Sequence, residues 1–164
     1  MPNRVIRHVT LNKVRILILS NKKMARDGAQ FDISLVSSKL ESIWRLTGDL
    51  LYSRFQEICS DKRPGEDFIA KLNTSKRDTV YKCCLLLSTA TNGKKIPRVF
   101  QLQAVLNLLA RKNCLIDAGT GSGKTLCMVL PALLDPTAVA LVISPLKRLQ
   151  VLQVSCISVI VDRF

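Results

Sequence analysis

A-G-T-G-S-G-K-T, Ala118 to Thr125, is the stretch on which the fold of this chain turns. Ahead of it stands an apolar run, Cys114 to Ile116, of the kind that ends a strand, and behind it Lys124 and Thr125 open what reads as a helix. Three glycines in the stretch let the backbone come close to a ligand and turn its N–H groups toward it. A chain of phosphates suits such a cradle, because successive N–H groups and a helix N-terminus hold the negative charge together. The pattern gives Ala118, Gly119, Thr120, Gly121, Ser122 and Gly123 to the cradle, Lys124 to the β- and γ-phosphates, and the Thr125 hydroxyl to Mg²⁺. The plainer reading is a glycine-rich turn with a surface lysine, which the strand-to-loop-to-helix context disfavours.

Outward from the loop the chain keeps one grammar. Phe100 to Arg111 reads as a helix, Asn113 to Asp117 as a strand, Gly123 to Leu134 as a helix, and Val139 to Ser144 as a second strand rich in β-branched residues. This alternation predicts an α/β fold with a parallel sheet buried on both faces and the ligand at the carboxyl ends of its strands. Pro145 breaks the pattern, and Leu146 to Gln153 can start one more helix.

Upstream the grammar changes. Between Asp32 and Cys59, apolar residues from Val36 and Leu40 to Phe55 and Ile58 recur at helical steps, with Trp44 beside them, and they read as core rather than as a base-stacking platform. Ser38 with Glu41 has capping-box spacing. Ser60 to Gly65 reads as a turn and Glu66 to Leu72 as a short helix. Ser75 and Asp78 again suit a capping box, opening a helix through Val80, Cys83, Cys84 and Leu87 that ends at Asn92-Gly93. We expect a basic extension over 1–31, a helical segment over 32–95, and the α/β unit over 96–164.

The charge narrows the partners. With 25 basic against 12 acidic residues the 164-residue chain carries +13 at neutral pH, which favours a polyanion, nucleic acid ahead of an anionic membrane. Up to Lys95 the balance is +9, and the remainder holds +4. No apolar run has the length of a membrane-crossing helix. The six cysteines form no C-x-x-C pair and His8 is the single histidine, so a zinc site is not expected; buried, reduced thiols are. The acid-free, basic stretch to Arg26 has the charge of a mitochondrial transit peptide, but little serine and poor amphipathic periodicity, so a plain extension is expected. The expected compartment is intracellular, nuclear ahead of mitochondrial.

Three motifs in order resemble the superfamily 2 helicases, and among them the RecQ-like DNA helicases of the fungal type. Arg98-Val99-Phe100-Gln101 is similar to the family's nucleotide-sensing motif; the A-x-T-G-x-G-K-T form is similar to its motif I; and Ser144-Pro145-Leu146-Lys147-Arg148 resembles its motif Ia. Leu126-Cys127-Met128 and Pro131-Ala132-Leu133-Leu134 also resemble the RecQ-like pattern after the loop. The resemblance covers Ile96 to about Gln153. It implies a partial RecA-like lobe that binds ATP and Mg²⁺. Gln101 would then read the adenine edge with Arg98 as companion, a role that a carboxamide suits because it donates and accepts at once, with Gln103 as the weaker candidate. It also implies that Ser144, Lys147 and Arg148 lie against a nucleic-acid backbone, DNA ahead of RNA, holding register without reading sequence.

The acidic box that holds Mg²⁺ in helicase catalysis has no match here. Asp162 ends an apolar stretch, but Arg163 stands where a second acid would, so no catalytic residue is assigned. We expect a chain truncated before the DEAD/DExH box, its last residues after Val154 foreign to the family, binding ATP without turning it over. The rival expectations are a non-enzymatic basic module that binds nucleic acid or protein, and a fragment of a DEAD-box-type RNA helicase.

Overall fold

The structure, a computed structural model, describes residues 4–11, 14–21, 40–59, 63–135 and 139–142. In chain order these give strands β1 (Arg4–Leu11) and β2 (Val14–Asn21), then helices α1 (described over 40–45), α2 (Gly48–Ile58), α3 (Glu66–Ala70), α4 (Thr74–Ala90), α5 (Val99–Leu109) and α6 (Lys124–Leu134), and a short strand β3 (Val139–Val142).

The continuous helix read across 32–59 is broken. Leu46 and Thr47 leave the helical conformation, and Gly48 restarts it with φ +55, a backbone state that glycine adopts without steric cost. α2 then buries Leu51 and Phe55, one turn apart, and Cys59 follows on the same side. α4 is capped by Asn73 rather than by Ser75: the Asn73 side chain accepts from the Lys76 N–H at 3.0 Å. Its second half is buried all round, with Val80, Tyr81, Cys83, Cys84, Leu85, Leu86, Leu87 and Ala90 inside, as a helix enclosed by others must be. It ends at Asn92 (φ 50) and Gly93 (φ 76), where the Gly93 N–H donates to Ser88 O at 2.9 Å, a left-handed helix stop.

α4 is the axis of the body. α2 lies along it, α5 and α6 pack on each other, and both touch it. The core runs from Leu40 and Phe55 through Val80 and Leu85 to Leu102, Val105, Leu130 and Leu133, so one apolar interior lies on both sides of Lys95. Phe55 stacks on Tyr81 with ring centroids 4.4 Å apart. Two polar ties close the helix ends. The Trp44 indole N–H donates to Leu133 O at 2.7 Å, and the Lys82 ammonium donates to Trp44 O at 3.0 Å. Both occupy carbonyls that a helix terminus leaves without an internal partner.

The α/β expectation is corrected. From 40 to 59 and from 63 to 135 the described chain is helix and loop, and Asn113–Asp117, read as the strand ahead of the loop, pairs with nothing. The described β-structure is limited to the hairpin β1–β2, antiparallel with Arg4 opposite Asn21, and the four residues of β3. β3 runs parallel to β2, not beside 113–117. Among the described residues a parallel-sheet lobe is therefore not formed. The physical reason is visible at Leu115, which is 97% exposed: an apolar run makes a central parallel strand only when strands flank it and helices cover both faces. The basic extension read over 1–31 carries the hairpin. The turn read from Ser60 lies partly outside the described residues, as do Ser38, the helix read from Leu146 to Gln153, and Asp162.

Cys59, Cys83, Cys84, Cys114 and Cys127 are free thiols. Burial pushes Cys83 up to about 12 from 9.0 and holds Cys84 well above its ordinary value. Since the folded pKa is raised, the neutral thiol favours the fold fully below pH 9.0, and that contribution is lost as pH climbs toward about 12. Urea unfolding midpoints measured across alkaline pH should fall, and Cys83→Ala should flatten part of that fall. Trp44→Phe keeps an aromatic ring but removes the pyrrole part of the indole with its N–H; chemical denaturation should show a loss of at least about 1 kcal/mol.

Candidate phosphate-binding site

The loop hangs between α5 and α6. Gly121 and Gly123 take φ +79 and +87, the left-handed region that side chains resist. The Ser122 N–H donates back to Gly119 O at 3.3 Å, closing the turn, and the Leu126 N–H donates to Gly123 O at 3.0 Å as α6 begins. The first N–H groups of α6, those of Lys124 and Thr125, have no acceptor inside their own helix and mark its positive end.

Gln101 fixes this geometry. It sits in the first turn of α5 and is 2% exposed. Its Nε2 donates to Ser122 O at 3.2 Å and to Gly123 O at 3.0 Å, and its Oε1 accepts from the Arg98 N–H at 2.7 Å. One carboxamide thus caps α5 and grips the end of the loop. The fit leaves no room at Gly123: a Cβ there would stand 2.6 Å from Gln101 Nε2.

The Lys124 ammonium folds back over the loop. It donates to Ala118 O and, at 2.9 Å, to Gly119 O. The Ser122 hydroxyl is buried with no hydrogen-bond partner. A cationic head held, among the described residues, by two loop carbonyls stands on the first residue of a helix N-terminus, and that donor set fits a phosphate. The Thr125 hydroxyl, in the first turn of α6, has no partner among the described residues, and its oxygen would be the residue's ligand to Mg²⁺ were a metal held with a phosphate here.

Of the residues singled out in the sequence, the structure gathers Ala118, Gly119, Thr120, Gly121, Ser122, Gly123, Lys124 and Thr125 into the loop and brings Gln101 against it, with Arg98 exposed at the N-cap of α5. Gln103 is exposed and makes none of these contacts. Ser144, Lys147 and Arg148 lie outside the described residues. Sequence reading missed the bracing role of Gln101. The signal was there: a glutamine three residues past a helix N-cap is the position whose side chain reaches back to the cap's N–H.

Cys127, in the first turn of α6, has its thiol raised by burial, with Cys114 nearby adding to the shift, so it packs as a small apolar group behind the loop.

Residues 98–161 match the DEAD/DEAH box helicase family. The match runs past Gln153, where the sequence resemblance was set to end. The chain is similar to an ATP-dependent DNA helicase Q-like SIM of Arabidopsis thaliana, 52% identical over 52 residues, which is 32% of this chain and 6% of the relative. The chain thus spans a small fraction of that relative's length. No solved structure matches.

Gly123→Ala should destabilise the loop by about 1–3 kcal/mol, through the left-handed φ and the contact with Gln101 together. Gln101→Ala removes the contact but not the strain. A double-mutant cycle, read by thermal unfolding and by hydrogen exchange at Ser122 and Leu126, should show the pair less damaged than the sum of the single changes.

Proposed function

We propose that this chain, whose residues 98–161 match the DEAD/DEAH box helicase family, is an ATP- and nucleic-acid-binding element of a RecQ-like DNA helicase. The observation that carries the nucleotide part is at the loop: the N-terminus of α6 together with the Lys124 ammonium resting on the Ala118 and Gly119 carbonyls. The β- and γ-phosphates take the place of those carbonyls as acceptors for Lys124, and the N–H groups of Lys124 and Thr125 at the start of α6 add donors to the phosphate oxygens. Thr125 gives its oxygen to Mg²⁺, which when bound supplies charge neutralisation across the phosphates.

Gln101 reads the adenine edge only by exchanging partners. Its two amide hydrogens now rest on Ser122 and Gly123. Adenine recognition therefore couples base contact to release of the loop carbonyls, and Arg98 at the cap of the same helix accompanies it. Ser144, Lys147 and Arg148 supply hydroxyl, ammonium and guanidinium donors to the phosphodiester backbone. DNA is the favoured strand because the relative is a DNA helicase Q-like protein. The sequence holds no D-E-x-H stretch, so these residues bind nucleotide without turning it over by themselves.

The test is nucleotide affinity by titration with a fluorescent ATP analogue and Mg²⁺. Lys124→Ala should weaken binding at least tenfold, equivalent to about 1.4 kcal/mol. An unchanged affinity would remove the nucleotide assignment and favour a basic binding module. ATP hydrolysis with and without single-stranded DNA should stay at background.

A further inference from the structure

The turn joining α4 to α5 is built around positive charge. From Thr79 to Ile116 the chain has no carboxylate, against six cations: Lys82, Lys94, Lys95, Arg98, Arg111 and Lys112. Lys82 is committed to Trp44 O. Lys95 and Arg98 are exposed, and neither side chain donates to any described residue.

Their backbone, by contrast, is held at Gly93, Lys94, Lys95 and Arg98. The Gly93 N–H donates to Ser88 O at 2.9 Å and the Lys94 N–H to Thr91 O at 3.1 Å. The Lys95 N–H donates to Thr91 Oγ1 at 3.0 Å, while the Thr91 hydroxyl donates to Leu87 O at 2.8 Å, inside the last turn of α4. Pro97 is buried, and the Arg98 N–H is fixed on Gln101. Two unpaired cations thus project from a braced turn, within about 10 Å of each other along the chain. A rigid display loses little backbone freedom when it engages a ligand. A nucleic-acid strand presents phosphates at a repeat that such a span meets more than once.

We infer that residues 93–98 dock the backbone of a nucleic-acid strand, with Lys95 and Arg98 each set on a phosphodiester. This rests on the nucleic-acid reading above but uses none of Ser144, Lys147 and Arg148. The strand is a better occupant than the bound nucleotide's own phosphates, because those already have Lys124 and the start of α6. Arg98 stands near the base side of the loop as well, so Lys95 is the discriminating residue.

The experiment uses the full chain and a fluorescein-labelled, mixed-sequence single-stranded DNA, with affinity read by anisotropy over a series of salt concentrations. At about 0.1 M salt, Lys95→Gln should weaken binding roughly 5-fold and lower the log–log salt slope by about 0.7. Lys95→Gln with Arg98→Gln should weaken it roughly 25-fold and lower the slope by about 1.4, while Lys95→Arg restores the wild-type value. ATP affinity of Lys95→Gln should equal that of the wild type. An unchanged slope in Lys95→Gln, or a loss of ATP affinity in place of DNA affinity, would overturn the inference. Failure of the wild-type chain to bind the strand would instead remove the nucleic-acid reading on which it stands. Wild-type binding with an indifferent Lys95→Gln removes the docking turn alone.

Discussion

The loop owes its shape to one carboxamide. Gln101 is buried at the start of α5, yet the three hydrogen bonds of its carboxamide all go to backbone: one N–H of its own helix cap and two carbonyls at the end of the glycine-rich loop. A buried amide left unpaired is costly, so this arrangement holds both elements in register. It also dictates Gly123, which must have no Cβ and must sit at positive φ for the carbonyl of Ser122 and its own to turn toward the glutamine. The direction of α6, and with it the aim of its first N–H groups, follows from that single contact.

Behind the loop, the body is helical and organised by α4. The second half of α4 is enclosed by α2, α5 and α6, and the apolar interior does not stop where the charge pattern and the Lys94-Lys95-Pro97 connection suggest a boundary. Leu40 and Phe55 share a core with Leu130 and Leu133, the last turns of the helix that begins at the loop. The helices upstream of Lys95 therefore support α6 directly. Removing them would expose the inner faces of α4 and α6 to water, at a cost proportional to the apolar area uncovered.

What was legible in the sequence was local. The glycines of the loop announced a backbone free of side chains, the 3.6-residue recurrence of apolar residues announced α4, and Asn92-Gly93 announced its end. The helices on either side of the loop fell close to their expected bounds. What failed was non-local. Cys114 to Ile116 has the composition of a buried strand, but composition cannot supply neighbours, and Leu115 lies open to solvent. β3 was read correctly as a strand, yet its partner in the sheet is β2 from the far end of the chain. The break at Gly48 went unread because the apolar recurrence continues across it, and the Asn73 cap because Ser75 and Asp78 offered the more familiar signature. Gln101 was singled out for a base contact alone; its bond to the loop depends on a separation of over twenty residues that no periodicity encodes.

Trp44 gives the architecture an optical consequence. It is the single tryptophan, half-buried, with its indole N–H on the carbonyl of Leu133 in the final turn of α6. The same helix starts at Lys124, about 14 Å from Leu133 by its rise per residue. Any shift of α6 along its axis alters the hydrogen bond and the polarity around the indole together. The chain thus carries its own chromophore at the far end of the helix that begins at the loop, so events at the phosphate end are written into ultraviolet emission without a label.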